Sequence, residues 1–482
     1  MKISDIIFNE EYTHANVDLS LDFNRLTTNI NEASINDILF ITPSVELNTD
    51  KIISNTPLAV VCSQNTVLSD NICYIRVEDV RIALANAYFR YEKIDLKKSV
   101  FIGVTGTNGK TSTATLIKNI LSKSSHKIGF IGTGKIEISG MNIAPENYSM
   151  TTPPPSLLYS SIRQMQDCKC DTIVMEVSSH ALAQGRVFPI KFDYGIFTNL
   201  SPEHLDYHLN MDDYFDAKMN LLKKSKCSII NVDDKYGQKA YSLLQGKKIS
   251  VGAVKKADVW ANEIENLRLE GIKYNLNDNL GWSDINLPIP GIFNVYNSLL
   301  AATVCINLGI DKKEISAALS ETNAIEGRYE IINDEITVII DYAHTSEAFE
   351  CILRELYYLK KGRKLTVVFG CGGERDKKKR PVMAKTAEKY ADKIILTSDN
   401  SRNEDPMKII EDVKRGFTKN KYKTIIFRDE AIVTAIKEAN KGDIIAIIGK
   451  GAERYNIDKS GYHYFNEKEV VSSALKRRKE NL

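Results

Sequence analysis

Ser99-Val100-Phe101-Ile102-Gly103-Val104-Thr105 runs directly into Gly106-Thr107-Asn108-Gly109-Lys110-Thr111, and Leu116, Ile117, Ile120 and Leu121 follow on one helical face. A short continuous apolar run bounded by glycine reads as a strand buried on both faces, the mark of a parallel sheet. The turn after it is rich in glycine, so its backbone N–H groups are free to close around phosphate oxygens, and the helix start adds partial positive charge. Lys110 is placed to neutralise the outer phosphates, and the Thr111 hydroxyl to ligate Mg²⁺. Gly106, Thr107, Asn108, Gly109, Lys110, Thr111 and Ser112 are therefore the expected triphosphate contacts. Where the common form of this loop begins with glycine, this chain has Val104.

The same grammar extends in both directions. Thr172–Val177, Tyr194–Thr198 and Ser228–Val232 read as further buried strands separated by helical stretches, which predicts a mostly parallel sheet covered on both faces. Beyond Gly327 the alternation resumes, with strands expected at Thr337–Asp341, Leu365–Phe369, Lys393–Thr397, Thr424–Phe427 and Asp443–Ile448. Helices are expected at Ser346–Lys360 and Glu430–Ala439. Before Lys98, short β-like runs at Ile38–Ile41 and Leu58–Cys62 flank a helix at Val80–Tyr91. The division expected is an α/β chain of three parts: a smaller N-terminal α/β domain (1–98), a central phosphate-loop domain (99–326) and a C-terminal domain that repeats the α/β alternation (327–482).

Composition limits the function. The chain has 482 residues, 43% hydrophobic and 26% charged, with Lys+Arg at 64 against Asp+Glu at 62. That size calls for more than one core. The near-cancelling charge leaves no global field to hold nucleic acid or an anionic membrane, so anion binding must be local. The polar N-terminus lacks a signal-peptide pattern, and no apolar run approaches the ~20 residues of a membrane span. Eight cysteines are scattered, and only Cys168 and Cys170 lie close together, at a spacing that matches no common zinc or redox motif. A cytoplasmic chain with reduced thiols is expected.

Several other segments fall at strand ends, where open α/β sheets bind ligands. Glu176 closes an apolar strand and suits a Mg²⁺ ligand or water holder. Phe197-Thr198-Asn199-Leu200-Ser201-Pro202-Glu203-His204-Leu205-Asp206-Tyr207-His208 gathers histidines and acids after another strand; on spacing alone, metal ligation, catalysis and a polar surface turn stay open. Gly291-Ile292-Phe293-Asn294-Val295-Tyr296-Asn297 reads as a turn into a helix with Asn294 as cap. Asp341-Tyr342-Ala343-His344 follows a strand, and Gly370-Cys371-Gly372-Gly373-Glu374-Arg375-Asp376 is a glycine-rich loop suited to an anion.

In this order, from about Val100 to Tyr455, these segments resemble the Mur ligases of cell-wall synthesis, and most closely the branch that adds the third amino acid to the peptidoglycan precursor. The resemblance is faint before Val100. It implies a central ATPase of the phosphate-loop type and a C-terminal Rossmann-like domain for the amino acid, in a cytoplasmic monomer with no membrane partner that uses ATP and Mg²⁺ to activate a carboxylate of a UDP-muramoyl-dipeptide as an acyl phosphate. The amino group of a diamino acid then attacks the carbonyl. It also implies roles: Lys110, Lys218, Glu176 and His204 in catalysis; Asn294, Arg328, Asp341 and His344 around the nucleotide; and Thr111, Glu176, His204 and Lys218 on metal, the last as a CO₂-derived carbamate. Thr151, Thr152, Ser178, Gln184 and Arg186 would contact the UDP substrate, and Arg375, Asp399, Asn400, Arg402, Gly449 and Glu453 the amino acid. Prolines usual in the family are replaced by Glu326, Ser346 and Ser401, and a usual histidine by Ala452. The usual Asp-Ser-Arg uridine contact is missing near Thr27-Thr28-Asn29.

The resemblance also bears on the amino acid. Asp399-Asn400-Ser401-Arg402 carries the arginine typical of branches taking meso-diaminopimelate, whose second carboxylate suits a bidentate guanidinium. L-lysine or another diamino acid, or an altered acceptor, is the alternative reading, and Arg402 paired at the surface with Glu404 or Asp405 is the alternative for that residue. Other ligases of the superfamily and a non-catalytic nucleotide-binding protein are the competing classes.

Overall fold

The computed structural model describes residues 1–480 apart from 44–45, 147 and 420. Its first sheet has five strands in the order Tyr12–Ala15, Tyr74–Val77, Ala59–Ser63, Ile38–Phe40, Leu26–Thr27, antiparallel only at the Tyr12–Ala15 edge. The helix Val80–Tyr91 starts where Asp79 accepts the backbone N–H groups of Arg81 and Ile82. Its apolar face runs on into the core of the next region, with Phe89 edge-on to Tyr159 at 5.8 Å.

The central sheet has eleven strands. Its parallel heart runs Lys247–Gly252, Ser225–Asn231, Phe192–Phe197, Val100–Thr105, Thr172–Glu176, Ile128–Gly132. Val100–Thr105 is the strand from which the chain first moves to one side and later to the other, so the loop after it opens at a topological switch point. Antiparallel additions not foreseen from sequence widen both edges: Lys135–Ile138 with Met141–Asn142 on one side, and Ile272–Asp278 with Gly281–Leu287 beyond Val259–Asn266 on the other. These strands are half exposed and lack the unbroken apolar runs of the buried ones.

The third sheet orders six strands as Glu330–Asn333, Thr337–Asp341, Ile444–Ile448, Leu365–Phe369, Lys393–Leu396, Tyr422–Thr424, antiparallel only in its first pair. The strand expected at Thr424–Phe427 lies instead at Tyr422–Thr424, because Phe427 already occupies the cap position of the helix Arg428–Glu438. A hairpin (Tyr455–Asp458, Gly461–Tyr464) and a final helix Glu467–Glu480 complete the chain. No helix among the described residues is long and apolar enough to cross a membrane.

Candidate active site

The carboxyl ends of the central and C-terminal sheets face each other across a cleft of about 1040 Å³. Its floor is the loop Gly106–Gly109. Gly106 and Gly109 take φ of +150° and +85°. A Cβ would stand 1.8 Å from Thr198 Oγ1 at the first and 2.5 Å from Asn297 Oδ1 at the second. The loop can follow this path only with hydrogen at both positions. Residues after the neighbouring strand belt it: Thr198 Oγ1 donates to Asn108 O at 2.6 Å, and Asn108 N donates to Asn199 Oδ1 at 2.9 Å.

Lys110 opens the helix Lys110–Lys123, and its Nζ donates to Gly106 O and Thr107 O at 2.9 and 2.8 Å. Burial lowers its pKa, while Glu176 and Glu203 pull it back up. The Thr111 hydroxyl donates to Glu176 Oε2 at 2.8 Å, and Glu176 Oε1 accepts from Thr133 N at 3.0 Å. Lys218, only 1% exposed, comes up from the helix Met211–Lys223 beneath the loop, and its Nζ donates to Gly106 O at 2.8 Å. Burial, followed by repulsion from Lys110, drives its pKa well below that of an ordinary lysine. Burial likewise takes His204 down to about 3, so its ring is neutral.

This donor set suits Mg²⁺. No group of three or more His, Cys, Asp and Glu among the described residues is arranged to hold a metal alone. Mg²⁺, however, keeps several waters and needs only one or two protein oxygens besides phosphate. Thr111 and Glu176 offer hard oxygens beside the loop, and neutral His204 faces the same cleft. When bound, the ion would neutralise charge on the phosphates.

On the side expected to meet the UDP substrate, Thr151 Oγ1 meets Thr133 Oγ1 at 3.0 Å, and Thr152 Oγ1 receives Ser178 N at 3.0 Å. Arg186 donates to Thr152 O at 2.7 Å and grips Gln184 Oε1 through Nε and Nη2. Thr151, Thr152, Ser178 and Arg186 line the cleft; Gln184 stands behind Arg186. The Ser178 hydroxyl also caps the helix Ser179–Ala183.

The C-terminal half closes over the loop through polar contacts. Arg328 Nη2 donates to Thr111 Oγ1 at 3.0 Å and lies 4.2 Å above the Tyr342 ring. His344 Nε2 meets Glu203 at 2.7 Å, and Lys379 donates to His344 O. Glu326 binds Lys135 with one oxygen (2.7 Å) and Arg454 with the other (2.9 Å). Two residues expected at the nucleotide do not reach the cleft wall. Asp341 is buried, and its carboxylate accepts the N–H groups of Tyr329 and Ala343, both at 2.6 Å. Asn294 is also buried; it is not a cap, since Ile292 holds that position, and its amide binds Pro290 O and Asn297. Asn297 in turn meets Thr113 of the phosphate-loop helix at 3.3 Å, so Asn294 supports the loop from behind.

The far end of the cleft gathers Arg375, Asp399, Asn400, Arg402, Gly449 and Glu453. Arg402 has φ of +51°, and its Nη1 donates to Gly373 O and Asn400 O at 2.7 and 3.3 Å. Surface pairing is not where it goes: Glu404 is taken by Arg380 and Lys377, and Asp405 caps the helix Pro406–Lys414. Asp399 is held down at about 2: burial opposes this, but Lys450 and Arg428 outweigh it. Two residues of the site escaped the sequence reading. Glu203, against His344 beside the loop, was visible only as one acid among several in a polar segment, and Lys450, between two glycines at the far end, carried no signal of its own.

The Mur ligase middle domain matches residues 104–305, and the Mur ligase glutamate ligase domain matches residues 327–451. The UDP-N-acetylmuramoyl-L-alanyl-D-glutamate–2,6-diaminopimelate ligase of Clostridioides difficile is 37% identical, covering 99% of this chain and 100% of that protein. Ligase 1 of the same name from Clostridium acetobutylicum is 36% identical over 99% of each. A solved structure of a ligase of that name covers 99% of both chains with a TM-score of 0.68 and 28% identity. A Mycobacterium tuberculosis folylpolyglutamate synthase complexed with ADP shares the fold at 18% identity, with a TM-score of 0.65 over 82% of this chain and 93% of that one. With the phosphate loop, its belt and the facing C-terminal pocket in place, these likenesses establish that the chain belongs to the Mur ligases, a family of ATP-dependent ligases.

Proposed function

We propose that this protein adds meso-diaminopimelate to UDP-N-acetylmuramoyl-L-alanyl-D-glutamate in peptidoglycan precursor synthesis, releasing ADP and phosphate. The observation that carries the choice of amino acid is Arg402. One nitrogen of its guanidinium is anchored on Gly373 O and Asn400 O, and the side chain lines the cleft beside Arg375. A guanidinium fixed in this way is a bidentate partner for the second carboxylate of diaminopimelate, which lysine lacks. Glu453 and Asp399 lie on the same wall and suit the neighbouring ammonium.

The reaction needs charge neutralised more than protons moved. Lys110 and Arg328 supply cations on the two sides of the loop, and Arg186 with Thr151 and Thr152 orients the acceptor carboxylate toward the γ-phosphate. That carboxylate displaces ADP to form an acyl phosphate. The amine presented from the far end of the cleft then attacks the carbonyl and expels phosphate. Lys218 fits conversion to a carbamate: burial and then Lys110 favour its neutral, nucleophilic amine, and attack of that amine on CO₂ with loss of one proton leaves an anion beneath the loop.

The test is a panel of amino acids offered with UDP-muramoyl-dipeptide, following phosphate release. A kcat/KM for meso-diaminopimelate well above that for L-lysine is expected. Comparable values, or a preference for lysine, would overturn the assignment while leaving the ligase chemistry standing.

A further inference from the structure

Lys450 is fully buried, with a relative exposure of 0%. An ammonium withdrawn from water is costly unless each of its three N–H groups finds an acceptor. Its Nζ donates to Asn400 Oδ1 at 2.8 Å and to Glu453 Oε2 at 3.2 Å, and Asp399 Oδ1 stands 3.6 Å away. These partners are the polar groups at the amino-acid end of the cleft.

The contacts also fix each partner's orientation. Because Lys450 and Ile457 N both donate to Asn400 Oδ1, the amide must turn its nitrogen the other way, and Nδ2 donates to Glu453 Oε2 at 2.8 Å. Glu453 Oε2 thus receives two donors, which sets the plane of a carboxylate that lines the cleft. Asp399 and Glu453 are brought to one wall with a cation behind them, so their mutual repulsion is offset from the protein side. Behind this layer lies a second buried pair: Arg428 Nε donates to Glu467 at 2.6 Å, and its nitrogens reach Ser398 O and Ile448 O, the residues before Asp399 and Gly449.

We infer that Lys450 is a positioning residue for the incoming amino acid: it holds Asn400, Glu453 and Asp399 as a preorganised acceptor for the ammonium group of the diamino acid. This rests on the diamino-acid reading above. It also separates the two half-reactions, because among the described residues no partner of Lys450 belongs to the phosphate loop or to the side proposed for the acceptor.

The test uses Lys450→Met, which keeps length and removes charge, in the full-length enzyme. The KM for meso-diaminopimelate should rise at least ~10-fold, the range for unpairing a buried charged hydrogen bond, while the KM values for ATP and UDP-muramoyl-dipeptide stay within about twofold. Acyl-phosphate formation without amino acid, trapped as the hydroxamate with hydroxylamine, should also stay within about twofold of wild type. In a double-mutant cycle with Glu453→Gln, the effects on that KM should be clearly non-additive. An unchanged amino-acid KM overturns the inference. So does loss of hydroxamate formation in step with overall turnover, which would mark Lys450 as a general structural support. If the wild type rejects diaminopimelate, the proposed substrate fails, and Lys450→Met is scored against the amino acid the wild type accepts.

Discussion

The two ends of the cleft are built from different materials. At the end proposed for phosphate the backbone forms the surface: the glycines take positive φ, Thr198 and Asn199 hold the loop by its main chain, and Lys110 is the principal side chain there. At the amino-acid end the backbone recedes. Buried side chains set one another in place, Lys450 against the Asn400 amide and the Glu453 carboxylate, and Arg428 against Glu467. A site made of N–H groups serves any triphosphate and is stamped on the sequence as a short motif. A site made of side chains selects among ligands, but its members are scattered from Arg375 to Glu467 and have no common signature.

Substitutions can break or sharpen that contrast. Lys110→Ala removes the side chain on which the backbone-built end depends, and should lower phosphate release by on the order of 10³-fold with the thermal midpoint little changed. Near-normal turnover at saturating ATP and Mg²⁺ would contradict this. Lys218→Ala tests whether a side chain under the loop matters as much. Loss on the order of 10²-fold is expected, with partial recovery when short carboxylic acids are added, as a lost carboxylate-like ligand would allow. No recovery, together with an unmodified Lys218 in an active, bicarbonate-supplied enzyme, would exclude the carbamate.

Smaller effects belong to the side-chain end and the seam. Arg402→Ala should reduce the preference for diaminopimelate over lysine by ~10- to 100-fold, through the diaminopimelate kcat/KM, because a desolvated carboxylate loses its partner. A preserved ratio would place selection elsewhere. Glu326→Gln cuts a bridge whose partners Lys135 and Arg454 are 40% and 62% exposed. Solvent screens such pairs, so thermal stability should fall by less than ~1 kcal/mol; a larger loss would show that this bridge governs domain contact.

The contrast also explains what was readable in advance. Thr337–Asp341, Leu365–Phe369 and the helix Val80–Tyr91 stand where periodicity put them, since buried strands and amphipathic helices write their environment into every residue. The edge strands from Val259 to Leu287 did not announce themselves, because half-exposed strands mix polar and apolar residues. Within the site, Gly106–Thr111 was visible from composition and context alone. Asp341 and Asn294 were noted as polar residues near strand and helix ends, but whether such a group faces ligand or backbone is decided by tertiary packing; here both turn inward. Lys450 was invisible for the same reason, since a lysine between two glycines is ordinarily a surface residue.

Arg328 also makes a joint between the phosphate loop and the C-terminal half. Its guanidinium donates to the Thr111 oxygen, and the same hydroxyl donates to Glu176. One oxygen thus joins the C-terminal half, the helix Lys110–Lys123 and the strand Thr172–Glu176, and the halves of the cleft are tied at the first turn of the helix that opens the site.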